Sequence, residues 1–457
     1  APGQTVSFTW TYTCSDLGSL QIIAGAWGAD ATTGAWLYAQ ASGTTRVGNA
    51  GLVSPDPFAD GTSFSFVVGY ANRVYLGPSK DGTRAVRMNP DGTGLEIVQL
   101  GFVTDPFGVQ NGVSPLPSAF PSLGYTGCAP GTLQCGPDNE DGRGLFHSFV
   151  SGSTEWLFAG SARQGTQIRH SYITTDTSAM PSFGYVRTSL GGGMRGVTAA
   201  AALGTTLYVG VANGGGSAVP GVLPIADPFD SAHVGTAAFP SPLVSTVGAA
   251  LVDSMAAFNG VLYAANAGGC GKYDGMFWTS CRPSDPAWAG SPALAPVTTS
   301  KTADLVPADK AVPQMAVFNG RLYLARNTTS GPQLWVCNPL FTFPCSPINW
   351  SLIAPNGAGN TQLSQFDDTS LQTVSVLVAT SQHLYVGYDA PAGIKLYRSA
   401  VSAPAARGDF SSWVTQGLGN GVTQILDAKA LSFAGRDYLY LAARAGTGPV
   451  QVYRASR

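Results

Sequence analysis

Apolar positions along this chain fall in strand-sized stretches such as Thr373–Ala379, and one four-residue pattern keeps returning within them. It reads apolar, aromatic, apolar, then Gly or Ala. Clear copies are Val74-Tyr75-Leu76-Gly77, Leu207-Tyr208-Val209-Gly210, Leu262-Tyr263-Ala264-Ala265, Leu322-Tyr323-Leu324-Ala325, Leu384-Tyr385-Val386-Gly387 and Leu439-Tyr440-Leu441-Ala442. Ile22-Ile23-Ala24-Gly25 and Leu157-Phe158-Ala159-Gly160 are weaker copies. The interval between copies is roughly 55 residues throughout, apart from one long step between Tyr75 and Phe158 that an insertion explains.

Each copy carries similar neighbours. A short strand precedes it and ends in a tight turn, clearest at Asn259-Gly260 and Asn319-Gly320, where both residues tolerate positive φ and so favour a two-residue hairpin. A Gly-rich loop and a third strand follow, and in several units a fourth. Four antiparallel strands in about 40 to 60 residues cannot bury both faces alone, so such units stack radially and close into a ring. The first strand of a unit is rich in small residues, as in Val197-Thr198-Ala199-Ala200-Ala201, which suits a crowded axis. Separate β-sandwiches would also give many short strands, but they predict no common period and need linkers, and no Pro-rich or charged linker divides this chain. The expected fold is therefore all-β: one closed β-propeller of four-stranded antiparallel blades spanning residues 1–457, with an insertion at about 106–143. Eight blades are favoured. Residues 6–13 alternate well enough to close the last blade as a clasp, which would leave the first unit short and make the count seven.

Composition narrows the setting. Charged residues are 11% of the 457, and the formal net charge is −2 with no run of Lys or Arg, so nucleic acid and anionic membranes are poor partners. No apolar stretch is long enough for a transmembrane helix. Six of the seven cysteines form close pairs, Cys128 with Cys135, Cys270 with Cys281 and Cys337 with Cys345, while Cys14 stands alone. Zinc would need four ligands at shorter spacing, so disulfides and an extracytoplasmic location, secreted or at the cell surface, are expected. The start Ala1-Pro2-Gly3-Gln4 fits a mature secreted form or a trimmed chain.

On its repeat, the chain resembles secreted bacterial β-propeller proteins over nearly its whole length. The Gly-His and Trp-Asp marks of the WD40 family and the Gly-Gly pairs of the kelch type are absent, so no catalytic residue carries over.

In such a blade the second-to-third loops and the blade connections share one face at the mouth of the axial channel, the default binding surface. Trp27, Asp30, Lys80, Asp81, Tyr273 and Asp274 are the candidates there. The insertion carries Asp138-Asn139-Glu140-Asp141-Gly142, closely spaced oxygen ligands that would suit Ca²⁺, although a solvated acidic turn explains them as simply and the EF-hand spacing is missing. Asp253, Asp427 and Asp30 are carboxylates that a ring could gather at its axis. His147, His170, His233 and His383 belong to no HExxH, and neither GxSxG nor a Walker loop occurs. Arg407-Gly408-Asp409 falls in a third-to-fourth loop on the opposite face, and Asn327 and Asn349 begin glycosylation sequons.

No catalytic residue is assigned. The favoured reading is a non-catalytic adhesion, recognition or assembly module whose partner is an extracellular glycan or protein. One alternative is a polysaccharide lyase or hydrolase with an axial active site, expected to show convergent titratable groups at the channel mouth. Another is a structural subunit that self-associates by adding its N-terminal strand to a neighbour's last blade, with Cys14 locking the junction.

Overall fold

The computed structural model describes residues 18–29, 36–47, 51–52, 66–77, 84–99, 101–102, 144–161, 170–178, 182–187, 194–213, 221–225, 252–294, 307–339, 343–353, 368, 370–414, 418, 421–446 and 450–456. Seven antiparallel sheets stand around one axis. From the axis outward, the first blade is Phe66–Tyr70, Arg73–Gly77, Arg84–Met88 and Glu96–Gln99. The second is Gly144–Ser151, Thr154–Ser161, His170–Thr174 and Ser182–Arg187, with Gly101–Phe102 added in parallel at its rim. The third has three strands among the described residues, Met194–Leu203, Thr206–Asn213 and Val222–Ile225. Ser254–Phe258, Val261–Asn266, Gly269–Tyr273 and Trp278–Ser280 make the fourth. The fifth is Gln314–Phe318, Arg321–Thr328, Gly331–Cys337 and Trp350–Ile353, and the sixth is Thr373–Ala379, Leu384–Asp389, Lys395–Ser399 and Phe410–Val414. The seventh is Gln424–Phe433, Arg436–Arg444, Gln451–Ser456 and Gly51–Leu52. Each innermost strand touches that of the next blade, and the seventh touches the first, so the ring is closed.

The propeller is as expected, with the smaller of the two blade counts. Seven copies of the repeat lie on second strands. The eighth, at Ile22–Gly25, lies in a ribbon of Gly18–Ala29 paired with Trp36–Val47 that joins none of the seven sheets. Closure does come from the N-terminal side, through Gly51 and Leu52 pairing with Arg454 and Tyr453. Residues 6–13, expected as the clasp, lie outside the described residues.

Each position of the repeat has a physical cause. Its last residue is small because neighbouring side chains press on it: a Cβ on Gly210 would stand 2.8 Å from Val252, and one on Gly387 would stand 2.7 Å from Leu396. Its aromatic is usually tyrosine because the hydroxyl reaches the following blade. Tyr323 Oη donates to Pro404 O at 3.0 Å and Tyr440 Oη donates to Pro90 O at 2.7 Å, while Tyr263 Oη accepts from Cys345 N at 2.8 Å. All three partners lie in third-to-fourth connections. Tyr75 Oη accepts from Arg87, whose guanidinium donates to Thr177 O and Ser178 O of the second blade. The rings pack with Leu, Val and Ala into apolar clusters between adjacent blades, such as Tyr323 and Leu334 with Val374, Leu377 and Tyr388. Burying each such ring contributes roughly 2 to 3 kcal/mol. At the inner turns Asn259 and Gly260 have φ of 47° and 74°, and Asn319 and Gly320 have 43° and 72°, the geometry of a type I′ hairpin.

Candidate functional site

Antiparallel order within each blade puts the second-to-third turns and the blade connections on one face. The innermost strand is the exposed edge of its sheet, so the backbone groups where it begins have no ladder partner toward the neighbouring blade. Among the described residues, side chains from the preceding blade meet that need at five junctions. Asp253 Oδ2 accepts from Val312 N at 3.0 Å, Asn327 Oδ1 accepts from Val374 N at 2.8 Å, and Asp427 Oδ2 accepts from Val67 N at 2.9 Å. Asp389 Oδ1 accepts from Ile425 N at 3.2 Å and from Ser375 Oγ at 2.9 Å, while Oδ2 accepts from Thr373 Oγ1 at 3.1 Å. Thr198 Oγ1 donates to Val252 O at 2.6 Å. Asn327 and Asp389 share one position, two residues beyond the small residue of the repeat.

These acids sit where water is scarce. Burial pushes Asp253 up to about 6 and Asp389 to about 7, with the accepted hydrogen bonds offsetting part of the shift, and it raises Asp427 as well.

A second set of groups faces the axis itself. Lys310, which follows the turn Pro307–Asp309 in the connection to the fifth blade, donates from Nζ to Asp253 O at 3.1 Å. The turn touches the innermost strands of the sixth and seventh blades, so this connection reaches across the ring. Lys310 lies in the field of Asp253 and of Asp427, and Asp427 in the fields of Lys310 and Lys429. His147, on the innermost strand of the second blade, feels Lys429 of the seventh; burial first and that charge second bring it down to about 3, so it is a neutral imidazole. Groups on non-adjacent blades interact in this way only through the centre of the ring. Lys310, Asp427, Lys429 and His147 are surrounded by protein yet keep partial contact with solvent.

Of the three carboxylates that a ring could gather at its axis, Asp253 and Asp427 share the field of Lys310 and also carry structural bonds at blade junctions, whereas Asp30 lies outside the described residues. Lys310 and Lys429 were not anticipated from sequence, because no period marks which residue of a connection or inner strand reaches the axis.

The other candidates are placed differently. Tyr273 and Asp274 were expected in a second-to-third loop, but they end the third strand and begin the turn to the fourth, on the opposite face. The second-to-third turn of that blade is only residues 267–268, shorter than the Gly-rich run suggested. Tyr273 stacks on Trp278 with centroids 5.2 Å apart, and Asp274 Oδ1 accepts from Met276 N and Phe277 N, which holds its carboxyl below the usual range and identifies it as turn chemistry. Trp27 lies opposite Tyr38 in the two-stranded ribbon. Lys80, Asp81, Asp138, Asn139, Glu140, Asp141, Cys14, Cys128 and Cys135 lie outside the described residues. Among the described residues no group of three or more His, Cys, Asp or Glu could hold a metal ion.

Cys270–Cys281 and Cys337–Cys345 are disulfides, and both belong to the cluster between the fourth and fifth blades. The pair fits an oxidising compartment. No described helix is long and apolar enough to cross a membrane. Arg407-Gly408-Asp409 is a single helical turn in which Asp409 Oδ2 accepts from Ala405 N and Ala406 N and Arg407 lies over Tyr397, so its side chains serve the loop. Asn327 is buried with its amide bonded, which rules it out as a glycan acceptor in the folded chain.

No family pattern and no curated protein matches the chain in sequence. Among solved structures, a polysaccharide lyase aligns at TM-score 0.40 and 11% identity over 87% of this chain and 90% of its own. A Trypanosoma rangeli sialidase in complex with sialic acid aligns at 0.37 and 10%, over 68% of this chain and 54% of its own, and a PQQ-bound aldose sugar dehydrogenase from Streptomyces coelicolor at 0.34 and 13%, over 87% and 95%. At these scores the likeness bears on no activity of this chain.

Proposed function

We propose that the protein is an extracytoplasmic recognition propeller that binds glycan at the axial channel mouth on the connection face. The carrying observation is the meeting of His147 of the second blade, Asp253 at the start of the fourth, Lys310 of the connection to the fifth, and Asp427 and Lys429 of the seventh. Mixed donors and acceptors around a partly wet channel suit a polyhydroxylated ligand. Binding without turnover is favoured at Asp427, both of whose oxygens accept backbone bonds, from Val67 N and Ala428 N, whereas Asp253 commits Oδ2 alone, to Val312 N. A general acid or base needs an oxygen free to reach the substrate.

Two observations favour the enzyme reading, and the first is the convergence of titratable groups itself, the mark expected of an axial active site. The second is that Asp253 titrates near 6, within the range of a general acid, and lies beside Lys310. A single experiment separates the two readings: the full chain is screened on a glycan array, and each bound polysaccharide is then incubated with it and assayed for new chain ends. Binding with no new ends supports recognition; new ends that vanish in Asp253→Asn establish the lyase or hydrolase. Absence of glycan binding would overturn both.

A further inference from the structure

Hydrogen-bonding capacity at the axis is lopsided. Both oxygens of Asp427 are occupied by backbone N–H groups, and Asp253 accepts through Oδ2 from Val312 N. The ammonium groups, by contrast, are underused. Lys310 spends one N–H on Asp253 O, and among the described residues Lys429 has no hydrogen-bond or ion-pair partner. His147, Asp253, Asp309 and Asp427 are the other titratable groups in the field of the two lysines. Donors are thus in surplus, and they come from different elements, the connection to the fifth blade and the innermost strand of the seventh, which touch at the turn Pro307–Asp309.

From this geometry we infer that the axial site takes an anionic group of an acidic glycan, a uronate carboxylate or a sulfate ester, bridged between Lys310 and Lys429. The inference rests on the glycan-recognition reading and narrows its ligand class. A lysine is a compact cation with three rotatable donors, so two of them on touching elements can grip one anion without the planar match an arginine fork requires. Wedging the anion between the seventh blade and the connection to the fifth would tie non-adjacent parts of the ring together. As pH falls through the raised Asp253 value of about 6, protonation removes negative charge facing the Lys310 ammonium; Asp427 is shifted in the same direction, and His147 stays neutral until about pH 3. Affinity for the anion therefore rises from pH 8 to pH 5.

The test is calorimetric titration of the full chain with oligogalacturonate, with a sulfated neutral oligosaccharide, and with the carboxyl-reduced form of the first. We expect binding of at least one acidic ligand, about tenfold or more weaker binding of the neutral form, and loss of that preference in Lys429→Gln with an unchanged melting temperature. Lys310→Met, whose ammonium also supports Asp253, should show the same loss. Which acidic ligand binds separates carboxylate from sulfate. Equal binding of the neutral form, or an acidic preference that survives Lys429→Gln, would overturn the inference while leaving glycan recognition standing. Binding of none of these oligosaccharides overturns it too, and the array then decides whether glycan recognition falls with it.

Discussion

The tyrosine of the repeat shows how one side chain serves two levels at once, its ring filling the wedge between blades and its hydroxyl joining the next blade's outer connection. Removing the hydroxyl leaves a buried carbonyl without its donor, so Tyr323→Phe and Tyr440→Phe should each cost about 1 kcal/mol in urea unfolding, whereas changes at Phe158, which has no hydroxyl, test packing alone. The junction acids make a prediction of opposite character. Asp389 has a folded value raised to about 7 against an unfolded value near 3.8, so the native state holds its proton more tightly than the unfolded chain. Stability from this group is therefore full below about pH 4 and is lost as pH rises toward 7, at no more than about 1.4 kcal/mol per unit. Denaturation midpoints measured from pH 4 to pH 8 should fall through this window in the native chain and fall less in Asp389→Asn; a native midpoint that climbs across it would contradict the assignment. Asp253 and Asp427 could be suspected from sequence as acids beside inner strands, but their partners could not, since a hydrogen bond to Val312 N or Val67 N depends on how blades meet.

At the scale of elements, strand order was legible because the repeat ties composition to position. Small residues mark the first strand of the third blade, the aromatic pattern marks every second strand, and Asn-Gly marks the turn between them in the fourth and fifth blades. The ribbon of Gly18–Ala29 and Trp36–Val47 shows the limit of that reasoning: Ile22-Ile23-Ala24-Gly25 resembles the repeat, yet it lacks the aromatic and no Asn-Gly precedes it, and among the described residues its strand pairs with Trp36–Val47 alone. Tyr273 and Asp274 were misplaced for a related reason, since a Gly-rich run can belong to a strand, and Gly269 and Gly271 here pair with Asn266 and Ala264. The inner turn of the seventh blade departs from Asn-Gly, with Ala434 at φ of 50° ahead of Gly435 at 76°. Alanine is strained there, so Ala434→Asn should stabilise the protein by roughly 1 kcal/mol, read as a shift in unfolding midpoint with unchanged slope. The disulfides close loops with sequence separations of 11 and 8 residues. Replacing the pair Cys337 and Cys345 with serine should cost roughly 2 to 3 kcal/mol by loss of loop closure, measured in the same way.

For the whole molecule, a ring assembled from one repeat converts local similarity into a shared centre. The apolar clusters fill the wedges between blades, the junction side chains hold five of the described inner edges to the next blade, and the connection to the fifth blade carries Lys310 to a place no single blade defines. Architecture was readable because it repeats; the site was only half readable because it is the part that does not. Asp81 and Lys429 set the two positions against each other, the first a loop candidate from sequence and the second an axial group found in the ring. The decisive measurement is the affinity of the array-selected glycan for the native chain, Asp81→Asn and Lys429→Gln, each checked for an unchanged melting temperature. An axial site predicts a loss of about tenfold or more in Lys429→Gln and none in Asp81→Asn; native affinity in Lys429→Gln with a loss in Asp81→Asn would move the site from the axis to the loops.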